Sequence, residues 1–157
     1  MSKTLYLMRH GQAGDGQPDH DRGLTDKGAR DARRQGQSIF KDDLPNRFIV
    51  STAIRTAQTV AHLREELKFD EKRVQFEASM YNAAIRELFE VVTRLDDLWA
   101  TVCLIGHNPS ITYLAEYLTG DSVDYMSPAG VVKMRIDGSW ANVSQGAAYF
   151  EFYRASE

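Results

Sequence analysis

Arg9 and His10 directly follow the apolar run Leu5-Tyr6-Leu7-Met8 and precede Gly11. Arg55 lies four residues after Ser51, and His107 follows Gly106 at the end of a second apolar run, Val102-Cys103-Leu104-Ile105. A guanidinium donates forked hydrogen bonds to oxyanions, and a neutral imidazole serves as donor, base or nucleophile near pH 7. Two arginines and two histidines with no carboxylate cluster suit a small dianionic oxyanion, most simply phosphate. Metal binding fits the set less well. His10, His20, His62 and His107 are scattered, and two of them adjoin arginines or a helix start that would repel a cation. No metal and no other cofactor is expected.

Side chains so far apart in sequence meet only if strands and helices deliver them to one edge. The stretch Leu5 to Gln12 reads as a buried strand ending in a turn at Arg9-His10-Gly11. The Gly-, Pro- and Asp-rich segment 13–23 is a loop that starts at that turn and should cover it. Thr25 is a candidate N-cap for a helix over about 26–41, whose Arg30, Arg33 and Arg34 form a solvated face. Phe48-Ile49-Val50 is a short strand. Ser51-Thr52 then caps a helix through Leu67 with inner face Ile54, Ala57, Val60, Ala61 and Leu67. His62 within it reads as an ordinary surface residue.

A third strand is expected at Val74-Gln75-Phe76, followed by an amphipathic helix marked by Ile85, Leu88, Val92, Leu95 and Trp99. Thr101 to Ile105 has no polar alternation, as in a central strand buried on both faces. Asn108 is a suitable N-cap and Pro109 a suitable first helical residue for a helix buried through Ile111, Leu114, Ala115 and Leu118 and stopped by Gly120. Val131 to Ile136 and Ala147 to Tyr153 read as two edge strands in a hairpin. Strands alternating with helices predict an α/β fold, a three-layer α/β/α sandwich with a mostly parallel central sheet and a C-terminal β-hairpin. In such a sheet the ends carrying Arg9-His10, Ser51 with Arg55, and His107 share one edge.

The 157 residues are the size of one domain, 1–157, able to hold a core without staples. The formal charge of −3, from 19 basic and 22 acidic residues, leaves no basic footprint for nucleic acid or an anionic membrane. Any anion site must be local. The one cysteine, Cys103, lies in an apolar run and reads as a buried strand residue, with no disulfide framework. No signal segment or membrane-spanning run is evident, which predicts a cytoplasmic protein. The oligomeric state is left open.

With these elements placed, the chain resembles the histidine phosphatase superfamily, the acid phosphatase and phosphoglycerate mutase clan. Four blocks in order carry the resemblance: Leu7-Met8-Arg9-His10-Gly11, Arg22-Gly23-Leu24-Thr25-Asp26-Lys27-Gly28, the nine residues Ser51 to Thr59, and Gly106-His107-Asn108-Pro109. Residues 120–157 are covered only by the general fold. The resemblance implies a phosphoglycerate mutase-like fold and a covalent mechanism in which His10 attacks phosphorus and becomes a phosphohistidine that water hydrolyses. Arg9, Arg55 and His107 would surround the equatorial oxygens, and a phosphate dianion would favour the imidazolium form of His107. Gly11, Gln12, Arg22 and Asn108 are candidate substrate-binding residues. Ser51 reads as a helix cap more than a phosphate ligand, and Asn108 either bonds a phosphate oxygen or caps.

Many relatives protonate an alkoxide leaving group with a carboxylic acid carried after the third strand. Here Glu77 is the only acid between Val74 and Arg86, and Asp21 in the covering loop is the second candidate. A compact chain without a lid or a clear general acid resembles the SixA-type phosphohistidine phosphatases, whose substrate is a P–N bond on a protein histidine. Arg22 and the 13–23 loop would line the entrance. The expected partner is thus a phosphorylated protein, with a small phosphomonoester such as a sugar phosphate as the alternative. A non-catalytic phosphoprotein-binding module is the alternative of another class.

Overall fold

The computed structural model describes residues 1–156. Six strands form one sheet: β1 (Ser2–Arg9), β2 (Arg47–Ser51), β3 (Val74–Glu77), β4 (Thr101–Gly106), β5 (Val131–Asp137) and β6 (Tyr149–Arg154). Four helices connect them: α1 (Asp26–Gln35), α2 (Ile54–Leu67), α3 (Ile85–Thr93) and α4 (Ser110–Thr119). The strand order is β3-β2-β4-β1-β5-β6. β1 to β4 are mutually parallel, β5 runs antiparallel to β1, and β6 runs antiparallel to β5, so the sheet is mixed.

The central strands are apolar throughout because both faces are covered. Leu5, Leu7, Ile49, Val102 and Leu104 point into a core with α3 and α4. Tyr6, Met8, Phe48, Val50, Cys103 and Ile105 point into a second core with Ile39, Phe40 and α2. Burying a side chain of this kind contributes roughly 1.5–3 kcal/mol, so the period-2 alternation between the two cores holds the register. A one-residue slip would exchange every partner.

β1 and β4 are adjacent and in register, with Arg9 opposite Gly106. Beyond that pair the chain leaves β1 for the α1–α2 face and β4 for the α3–α4 face. Adjacent strands that diverge in this way open a crevice beyond their C-terminal ends, where open α/β sheets bind ligands.

Several local expectations change. β5 lies inside the sheet between β1 and β6, because its Val132, Met134 and Ile136 complete the α3–α4 core, so only β6 of the C-terminal pair is an edge. The inner face of α2 is Arg55, Thr56, Thr59, Val60 and Leu63, whereas Ile54 is 37% exposed. Polar residues are tolerated there because their hydroxyls are satisfied: Thr56 donates to the Ser51 and Ala53 carbonyls and Thr59 to that of Arg55. The turn Asp96-Asp97 ends α3 early, as Asp96 accepts from the Leu98 amide and Asp97 from Ser139 and Trp140. Leu95 and Trp99 pack against the core from outside the helix. The first helix starts at the Thr25 cap and widens into a π-helical turn over Gly36–Phe40.

Candidate active site

The turn after β1 holds His10 rigidly. Its amide donates to the Gly106 carbonyl (3.1 Å), and its own carbonyl accepts from the Ala129 amide (2.9 Å). Gly11 donates to Thr59 Oγ1 (3.0 Å), and a Cβ at Gly11 would come within 2.7 Å of the Gly28 carbonyl oxygen. Gly28, in the first turn of α1, meets the Gln12 backbone still more closely. The two glycines let the start of α1 lie directly against the turn.

His10 is 7% exposed, and its Nδ1 lies 2.6 Å from the Gly11 carbonyl oxygen. A carbonyl only accepts, so Nδ1 carries the proton and Nε2 keeps a free lone pair. Burial, then the charges of Arg55, Arg9 and Arg22, push its pKa down to about 4, against the upward pull of the bond to Gly11. The ring is therefore neutral and oriented at pH 7, with Nε2 free to act as a nucleophile or acceptor.

His10 lies in a pocket of about 310 Å³, also lined by Arg9, Arg22, Arg55, His107 and Asn108. Gln12, Ala13 and Pro128 complete its lining. A larger groove of about 530 Å³ between α1 and α2 lacks both site histidines. Arg9 Nη1 donates to the Met126 carbonyl (2.9 Å), which fixes the side chain from β1. Arg55 Nη1 and Nη2 bond the backbone and carboxylate oxygens of Asp19 at 3.0 and 3.2 Å. Arg9 Nε, Arg55 Nε and His107 Nδ1 in the pocket, and His62 Nδ1 outside it, are buried without a hydrogen-bond partner among the described residues. Guanidinium groups that converge on one pocket with two imidazoles suit a tetrahedral oxyanion.

Ser51 and Asn108 do not take the cap positions expected of them. The N-cap of α2 is Ala53 and that of α4 is Pro109, neither with a side-chain cap. Ser51 instead ends β2, and its Oγ lies 2.8 Å from His107 Nε2. Asn108 Nδ2 donates to the Met126 carbonyl and its Oδ1 accepts from Thr112, so its amide ties α4 to the loop that also holds Arg9. Burial, with His10 and Arg55 nearby, pushes His107 down to about 3, so the ring is neutral in the free protein rather than an imidazolium.

Two residues at the mouth were not expected. Asp19 accepts from Tyr81 (2.7 Å), Arg22 Nε (3.0 Å) and Arg55, and these bonds, led by that of Tyr81, hold its carboxyl well below the usual carboxylate range. Tyr81 sets its ring edge against His107, with centroids 5.8 Å apart. Residue type does not separate Asp19 from Asp15 and Asp21 in the same loop. The one signal is its i,i+3 spacing to Arg22. Arg22 also donates to the Gly14 carbonyl, and Gln12 accepts from Thr25, so both brace the loop at the entrance. Asp21 is exposed and faces His20, while Glu77 ends β3 opposite Ser51 and does not line the pocket. His62 is half-buried. Among the described residues no group of three or more His, Cys, Asp or Glu could hold a metal ion, and no helix is long and apolar enough to cross a membrane.

Comparison with known proteins agrees with this geometry. The family model for the histidine phosphatase superfamily (branch 1) matches residues 5–81. The uncharacterized protein Rv1276c of Mycobacterium tuberculosis is 30% identical over 155 residues, covering 90% of this chain and 94% of its own. A candidate phosphohistidine phosphatase SixA of Nakamurella multipartitia superposes with a TM-score of 0.83 at 27% identity, over 98% of this chain and 96% of that one. A mycobacterial glucosyl-3-phosphoglycerate phosphatase, Rv2419c, shares the fold at 13% identity, with a TM-score of 0.77 over 99% of this chain and all of its own.

Proposed function

This chain belongs to the histidine phosphatase superfamily, and we propose that it hydrolyses the P–N bond of a phosphohistidine carried by a partner protein. His10 Nε2 attacks phosphorus in line, forming a P–N bond to the enzyme as the substrate P–N bond breaks. The electron pair of that bond returns to the leaving imidazole, which departs neutral with the proton already on its other ring nitrogen. Water then attacks the phosphoenzyme, its protons leave with dihydrogen phosphate, and His10 regains its lone pair. Arg9, Arg55 and His107 donate to the equatorial oxygens, where charge is spread in the transition state. The Nδ1 bond to Gly11 disperses the positive charge that the ring acquires as a phosphohistidine.

The lining of the pocket, which among the described residues holds arginines, histidines and amides but no carboxyl group, carries the P–N assignment. Asp19, outside that lining, is the carboxyl group bonded to Arg55, and its bonds to Tyr81, Arg22 and Arg55 favour its ionised form, which makes it a poor proton donor. An alkoxide needs such a donor, whereas a protonated imidazole leaves with its own proton. The SixA-like neighbour supports the same reading, and the entrance between Arg22 and Asn108 suits an imidazole projecting from a protein surface.

The test is turnover of a phosphohistidine-bearing protein beside a panel of sugar phosphates and other monoesters, with trapping of an acid-labile phosphoenzyme. Faster turnover of the phosphohistidine protein supports the assignment. Faster turnover of an ester sinks it in favour of a small-molecule phosphatase, and no phosphoenzyme on any substrate indicates a binding module.

A further inference from the structure

Ser51 is fully buried at the end of β2, and its hydroxyl has two neighbours. The Ala53 amide approaches Ser51 Oγ at 3.5 Å as a donor, and His107 Nε2 lies at 2.8 Å. The amide N–H takes one lone pair of the oxygen, and among the described residues the hydroxyl proton has no acceptor other than the imidazole. Nε2 then accepts, and the proton of the neutral ring resides on Nδ1.

The opposite arrangement fails at both ends. If Nε2–H donated to Ser51, the buried hydroxyl proton would have no acceptor among its hydrogen-bond neighbours. The buried Nδ1 would then carry a lone pair with no donor among the described residues, beside arginines set to donate to oxyanion oxygens. His107 Nδ1 is buried and has no partner among the described residues, which leaves its proton free for a ligand. The Tyr81 ring packs edge-on to the imidazole and restricts its rotation.

We infer that Ser51 is a positioning residue that fixes His107 as the neutral Nδ1–H tautomer, so that His107 meets a phosphoryl oxygen as an uncharged, directed hydrogen-bond donor. This rests on the phosphate-cradle reading of the pocket and deepens it. The positive charge of the cradle then comes from the arginines alone. His107 has no acidic proton to give a leaving group, which again favours a substrate that brings its own. The low basicity of the buried ring agrees with this state.

The tautomer is read by long-range proton–nitrogen NMR of histidine-labelled protein at neutral pH, in the wild type, Ser51→Ala and Ser51→Thr. The wild type and Ser51→Thr should show His107 with a protonated Nδ1 and a bare Nε2, and Ser51→Ala should move the proton to Nε2. On phosphoramidate, a small P–N substrate, Ser51→Ala should lose about 100-fold in kcat with a smaller change in KM, the size expected for one misdirected oxyanion donor. Ser51→Thr should restore most of that loss, which also separates the effect from misfolding. An imidazolium or Nε2–H His107 in the wild type, or an unchanged tautomer in Ser51→Ala, overturns the inference. The tautomer readout needs no turnover. A wild type inactive on every P–N substrate but with the stated tautomer would sink the phosphohistidine reading alone.

Discussion

Acidification should destabilise this protein through its two site histidines, above the pH at which its carboxylates protonate. Burial, with the charges of Arg55, Arg9 and Arg22, takes His10 from 6.5 to about 4, and burial with His10 and Arg55 takes His107 to about 3. In the unfolded chain both rings take up a proton as pH falls through 6.5, whereas in the folded chain they stay neutral until the lower values. Between those limits the unfolded state binds more protons, so stability falls as pH falls. At about 1.36 kcal/mol per pKa unit, His10 alone removes about 2 kcal/mol between about pH 7 and pH 4.5. In a chain of this size that lowers Tm by roughly 5 °C. The assay is thermal unfolding followed by circular dichroism at closely spaced pH values, in the wild type, His10→Gln and His107→Gln. Each variant lacks one titrating ring, so its stability should depend less steeply on pH across that window. The two reductions should not add, because a proton on either ring disfavours one on the other. Identical pH slopes in the wild type and His10→Gln would refute the argument that this ring is held neutral by burial and the surrounding arginines.

Three further outcomes follow from the geometry. His10→Ala should form no acid-labile phosphoenzyme and lose essentially all phosphatase activity, and full activity on a phosphohistidine protein would exclude the covalent mechanism. Glu77→Gln should leave phosphohistidine turnover within about twofold, because Glu77 lies outside the pocket; loss of ester turnover in the same variant would support the small-ester alternative. Gly28→Ala should cost about 2 kcal/mol in denaturant unfolding and raise KM, since its Cβ would collide with the Gln12 backbone and push α1 from the phosphate turn. A variant as stable and active as the wild type would show that this close approach has no role.

The outline of the fold was legible because its cause is local. Leu5 to Met8 and Val102 to Ile105 are apolar without interruption, which marks strands covered on both faces, and Thr25 and Gly120 mark helix ends through their own backbone chemistry. The buried face of α2 was not legible from hydrophobic periodicity. Arg55, Thr56 and Thr59 are inside because their polar groups are satisfied there, Arg55 by Asp19, Thr59 by Arg55 and Gly11, and Thr56 by the carbonyls that precede the helix, and hydrophobic periodicity records none of these partners. Trp99 continued the helical spacing of α3, but the Asp96-Asp97 turn and its bonds to Ser139 and Trp140 end the helix first.

The sequence alone singled out Arg9, His10, Arg55 and His107, the side chains that meet in one pocket, since each stands where a strand ends or a helix begins. Residue type and strand period are properties of a few neighbouring residues. The tertiary structure decided how those side chains are set. It bonds His10 Nδ1 to Gly11, places Ser51 on His107 rather than on a helix end, and brings Asp19 to Arg55 and Tyr81 to Asp19 across 36 and 62 residues of chain. A proton's position on an imidazole, or the charge on a carboxyl group, depends on partners within about 3 Å. Those partners are supplied by the crossing of separate strands and loops.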